Sequence, residues 1–158
     1  MLVISTSDYL WFVDQALDGM VAIVRELGDD LASTRPELPD ANAPYAILTH
    51  CLGVMEYWGG ALVAGRTVTR DRDAEFRAQG RVDDLVRQTV DARRQLSADV
   101  ARVDPSAPPR QAPLLPEYAE TPIGQTQAGA LLHLYEELAQ HFGQLQLSRD
   151  VLVARPRS

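Results

Sequence analysis

The chain has 158 residues, 46% of them hydrophobic and 23% charged, with a formal net charge of −7. That length suits one domain with a single core, and the composition excludes wholesale disorder and fibrous repeats. All 15 basic residues are arginine and 22 residues are acidic, which removes the basic face that nucleic acid or an anionic membrane would need as a principal partner. A lone cysteine, Cys51, allows no intramolecular disulfide, and the first basic residue, Arg25, comes too late for a charged leader region. No run of about 18 apolar residues survives Asp14, Asp18 and Arg25, so no membrane span is expected. The expectation is a cytoplasmic protein with residues 1–158 forming one domain.

Tyr9, Val13, Ala16, Leu17, Met20, Val24, Leu27 and Leu31 recur at helical spacing behind Ser7, a natural N-cap, and predict a first helix ending before Pro36. Pro44 then suits the first turn of a second helix, with Ile47, Cys51, Val54, Met55, Trp58 and Leu62 as its stripe and Gly65 as its stop. The charged stretch 67–80 reads as a loop with a short helical turn, and its run Asp71, Arg72, Asp73, Glu75, Arg77 as a solvated segment. Val82, Val86, Thr89, Arg93, Leu96, Val100 and Val103 mark the seam of a third helix.

Six prolines between Asp104 and Gly124 forbid a helix there and predict a long ordered crossing or a lid. A fourth helix follows from about Thr126 to Val153, its stripe built from Leu131, Leu134, Leu138, Phe142, Leu145 and Leu152. No alternating β pattern competes. The fold class is all-α, a four-helix bundle with a long proline-rich crossover between its third and fourth helices.

The three histidines carry the chemistry. His50 lies on the apolar face of the second helix, and His133 and His141 lie on the fourth. At about 100° per residue, His133, Glu137 and His141 form one ribbon within about 80° around that helix, so all three can face one cavity. The i, i+4 pair Glu137 and His141 can chelate one metal, and an imidazole from a facing helix completes a His/carboxylate/His set. Three protein ligands leave a position open for water or substrate, as catalytic metals require. Nitrogen and oxygen donors suit Zn, Ni, Fe or Mn without choosing among them. Each histidine taken singly is more readily read as a hydrogen-bonded core residue, and a Glu four positions before a His is also an ordinary helix-surface pair; it is the three together that point to a metal.

The segment Leu131-Leu132-His133-Leu134-Tyr135-Glu136-Glu137-Leu138-Ala139-Gln140-His141-Phe142-Gly143-Gln144, with Thr49-His50 and Glu56-Tyr57-Trp58, resembles the DinB-like superfamily. Within it, the chain looks like the branch of mycothiol-dependent maleylpyruvate isomerase and related thiol-dependent transferases. The resemblance implies a bundle whose divalent metal is held by His50, Glu137 and His141, with His133 lining the cavity or standing behind the ligands. It also implies a low-molecular-weight thiol such as mycothiol as co-substrate, and a homodimer, for which exposed apolar positions on the first or third helix could supply the interface. That isomerase has a further C-terminal domain contributing to its active site, for which a chain ending at Ser158 has no room, so transfer of a thiol to a small electrophile is the expected chemistry.

His133, Tyr57 and Arg149 are the candidate catalytic residues around the ion. Tyr57, seven residues from His50, nearly eclipses it and can line the cavity, donate a hydrogen bond or simply pack. Arg149 on the fourth helix needs a carboxylate such as Asp18 or receives an anionic substrate, and Arg93 invites the same two readings. Glu56 falls on another face of its helix, and Cys51 points about 100° from His50 into the core. Two other functions fit the residues: a hydrolase using metal-bound water, and a non-catalytic bundle that binds a small apolar ligand or a partner helix.

Overall fold

Ser5 opens the first helix, α1 (Thr6–Ala32), by accepting from the Asp8 amide at 3.0 Å. The cap therefore sits two residues before the expected Ser7, which shares a 2.8 Å hydrogen bond with the Ser5 hydroxyl instead. The computed structural model describes residues 3–113 and 115–154. Among them there is no strand, and the chain is an all-α bundle of the DinB-like kind.

A kink interrupts α1 near its end, where Gly28 adopts φ +69° and ψ 176°, a backbone state that a side chain would strain. The bend delivers Asp29 to the start of α4 (Val82–Val100), whose first amide, on Val82, donates to Asp29 Oδ1 at 2.7 Å. Arg81, at the N-cap of α4, makes no side-chain cap of its own, so the kink in one helix satisfies the open end of another.

The second helix starts at Pro44 and ends at Gly65, as its breakers predict, but it changes character on the way. Residues Pro44–Val54 form α2, and Met55–Ala64 continue it as a π-helix before Gly65 turns left-handed at φ +75°. It is buried nearly all round rather than along one stripe, because α1, α4 and α6 (Gln127–Val153) all pack against it. Gly59 permits the closest of these approaches: a Cβ there would lie 2.4 Å from Leu96 Cδ1. Leu17 and Met20, Ile47 and Leu62, Leu85 and Leu96, and Leu134, Leu138 and Leu145 meet fully buried in the middle. No helix is long and apolar enough to cross a membrane among the described residues.

Among the described residues of the crossover, prolines start short helices as well as forbidding long ones. Pro116 opens a 3₁₀ turn, Pro116–Tyr118, and Pro122 opens α5 (Pro122–Gln125). Buried Gln127 ties the strap to the bundle, its backbone N–H donating to Ala107 O at 2.8 Å and its side-chain amide to Pro108 O at 3.2 Å. Gly129 lets α5 pack against α6: a Cβ there would come within 1.8 Å of the Pro122 carbonyl oxygen. Ala at this helical position gains about 1 kcal/mol of propensity, whereas the backbone displacement costs about 1–3 kcal/mol. Gly129→Ala is therefore expected to lower the unfolding free energy measured by urea denaturation, and an equal or higher value would refute the tight approach.

Candidate metal centre

Two elements supply three convergent donors. α2 carries His50, and α6 carries Glu137 and His141 one turn apart on the ribbon that the spacing predicts. His50 Nε2 lies 3.6 Å from Glu137 Oε2, and His141 Nε2 lies 3.7 Å from the same oxygen. One donor atom from each residue falls within 4.8 Å of the others, and the two imidazoles meet edge to face. Two ligands at about 2.05 Å from a tetrahedral zinc ion stand about 3.4 Å apart, so these separations fit an ion between the donors better than direct hydrogen bonds of about 2.8 Å.

The remaining nitrogens of both rings are engaged from behind. His50 Nδ1 is 2.8 Å from Glu75 Oε2, and His141 Nδ1 is 2.8 Å from Gln144 Oε1. His50 is only 2% exposed, yet its Nε2 is buried without a hydrogen-bond partner. Such an atom costs free energy unless something fills the position it faces. The residues present therefore fit a divalent cation, which His50, Glu137 and His141 would hold.

The neighbouring His141 and His50 imidazoles outweigh burial and hold the Glu137 carboxyl far below the usual carboxylate range, so it is an anion. Burial lowers the His141 pKa, but its contacts with Glu137 and Gln144 win and raise it above the ordinary imidazole value. Burial first, then the Glu137 and Glu75 charges, push the Cys51 thiol up and keep it protonated, in line with a packing role.

His133 sits beside the cluster. It is 8% exposed, its Nδ1 is 3.0 Å from Glu136 Oε2, and its Nε2 is 4.0 Å from Glu137 Oε1, the oxygen turned away from the other two histidines. Its ring lies 4.6 Å from that of Trp58 and 5.0 Å from that of Tyr118, which pack edge to face on each other at 5.5 Å. Tyr118 belongs to the crossover, so the proline-rich strap lies against this flank of the site. Tyr57 is buried, with its ring edge to face on Trp58 and the Arg70 guanidinium 5.9 Å from its centroid.

Arg149 stands apart, about 12 Å along α6 from His141 at 1.5 Å per residue. Its partners are Asp150 at 2.8 Å and Glu26 at 3.6 Å rather than the expected Asp18, which pairs with Arg93. Glu56 forms a 3.0 Å ion pair with Arg66.

The residue that sequence reasoning missed is Glu75. Far from being solvated with its charged neighbours, it is 9% exposed and accepts from Arg70 Nε at 2.7 Å and Nη2 at 3.0 Å as well as facing His50. Burial would raise its pKa, but His50 and Arg70 outweigh that and hold it below the carboxylate norm. It ends α3 (Arg72–Glu75), a single turn capped by the Asp71 side chain, and the next residue, Phe76, stacks on the His50 ring at 4.4 Å. The available signal was weak: an acidic residue followed by an aromatic one, just after a one-turn helix cap.

A long-helix bundle with a His from its second helix and a Glu-x-x-x-His pair from its last defines a DinB-like protein with a candidate metal centre. The comparisons narrow that class. The family model for mycothiol-S-transferase matches residues 9–154, and the chain belongs to that family. No curated protein and no solved structure matches it.

Proposed function

We propose that this chain is a divalent-metal-dependent transferase that joins a low-molecular-weight thiol of the mycothiol type to a small electrophilic substrate in the cytoplasm. The observation that carries the reading is the cluster His50, Glu137 and His141, with the buried Nε2 of His50 facing it unpartnered. Membership of the mycothiol-S-transferase family supports the thiol.

A bound divalent cation supplies a Lewis acid that favours the thiolate form of a thiol whose free pKa is about 8.5. The chain's own residues handle the proton. With Nδ1–H donating to Glu136, His133 presents its Nε2 lone pair toward the Glu137 side of the site and accepts the thiol proton there. The sulfur then forms a bond to the electrophilic carbon. A leaving group departs with its electron pair, or, in addition to a double bond, His133 returns the proton to the adjacent carbon. Trp58, Tyr57 and Tyr118 wall this side with aromatic surface and exclude water. The exposed Trp11 and Phe12 on α1 are the surface we assign to a homodimer.

The test is product analysis by mass spectrometry. Metal-loaded protein is incubated with halogenated and α,β-unsaturated electrophiles, with and without mycothiol. A thioether that requires both thiol and metal is the expected product. Hydrolysis of the same compounds without thiol would replace this reading with the hydrolase, and no turnover together with indifference to chelator would favour a binding bundle.

A further inference from the structure

Only Nε2 of His50 is used in the metal reading, and that leaves a buried charged pair behind the ring without a purpose. Glu75 and Arg70 both come from the connection between the π-helix and α4. A buried ion pair is a poor route to stability, because well-packed apolar side chains of similar volume are often as good or better. Yet the local structure is arranged to admit this one. α3 packs against α2 and no other helix among the described residues. Glu75 and Phe76, its last residue and C-cap, both land on the same side chain, His50. Gly53 gives the carboxylate clearance there: a Cβ at position 53 would lie 1.9 Å from Glu75 Oε1, the oxygen held by Arg70 Nε.

Arg70 reveals what the carboxylate decides. Its Nη2 is 3.3 Å from His50 Nδ1, close enough to become the hydrogen-bond donor to that nitrogen if Glu75 were absent. A guanidinium is only a donor, so it would select the tautomer with the proton on Nε2, where it blocks a metal. A carboxylate is only an acceptor and selects the opposite tautomer.

We infer that Glu75 is a positioning residue for the metal centre: it holds the His50 proton on Nδ1 and so presents the Nε2 lone pair to the ion, with Gly53 giving it clearance. Arg70 holds the carboxylate in place through its two hydrogen bonds. The inference rests on the metal reading above, but its first consequence belongs to the metal-free chain. Outer partners of this kind typically change metal affinity about 10–100-fold.

The experiment follows the ¹⁵N-labelled His50 imidazole by NMR in metal-free protein, and zinc affinity by competition with a chromophoric chelator. Wild type is expected to carry the proton on Nδ1. In Glu75→Ala the proton moves to Nε2 and zinc binds about 10–100-fold more weakly. Gly53→Ala, which keeps the carboxylate but displaces it, moves both readouts in the same direction, and the double variant binds no more weakly than Glu75→Ala alone. Removing Arg70 as well as Glu75 recovers part of the Nδ1–H population.

A purely structural Glu75 would lower the unfolding midpoint of the metal-free variants and leave the tautomer and zinc affinity unchanged, which overturns the inference. Independent, additive losses in the double variant overturn it too. If wild type takes up no zinc, the metal reading fails, and the tautomer measurement alone then decides whether Glu75 sets the His50 proton: inversion in Glu75→Ala sustains that control, and no inversion rejects it.

Discussion

His141→Ala is expected to reduce bound divalent metal from about one equivalent per chain to little or none, because a three-ligand site loses a third of its donors at once. Glu137 and His141 chelate from adjacent turns of α6, and without the second of them the site falls to two donors on different helices. The fold should survive, since the His141 side chain is 20% exposed and does not belong to the fully buried core. Elemental analysis of tag-free protein makes the comparison directly. A second readout comes from linkage: metal at a hundredfold excess over its dissociation constant stabilises the native state by about 2.7 kcal/mol. Chelator should therefore lower the melting temperature of wild type and leave that of His141→Ala unchanged. Equal metal in both proteins would remove His141 from the ligand set, and no metal in either after incubation with Zn or Ni would mean that the three histidines are structural.

The long-range frame was legible in the chain because it rests on repetition. The α1 and α6 stripes are many turns long, and Pro44 and Gly65 bound the second helix where their backbone chemistry requires. The ribbon on the last helix was legible for the same reason, since 133, 137 and 141 share a helix face by arithmetic alone. What escaped depends on single contacts between distant segments. Only the aromatic that follows it distinguishes Glu75 locally from Asp73, yet one is buried on His50 and the other exposed, because only one of them faces the gap left by Gly53. The π-helix is equally silent in sequence: Gly59 and Gly60 weaken the helix there, but nothing local calls for i→i+5 bonding, and α4 and α6 pack around it. The kink at Gly28 and the pairing of Asp18 with Arg93 rather than Arg149 belong to the same class, decided by which helices end up adjacent.

His133→Phe is expected to retain metal and fold while lowering the rate of thiol transfer about 10²–10⁴-fold, the usual worth of a positioned proton acceptor. Phenylalanine keeps the aromatic packing against Trp58 and Tyr118 and removes both ring nitrogens, so the change isolates proton transfer from the stacking. Because His133 is absent from the three-donor cluster, zinc stoichiometry should match wild type. The loss should fall on kcat, with the KM for thiol little altered, since the acceptor acts only as the proton leaves. Raising the pH supplies thiolate without help from the protein, so the deficit should shrink as pH approaches about 8.5, the pKa of a free thiol. A uniform deficit at every pH would instead mark a steric effect on the substrate. Full activity in His133→Phe would leave the metal as the sole activator and make His133 a wall of the site.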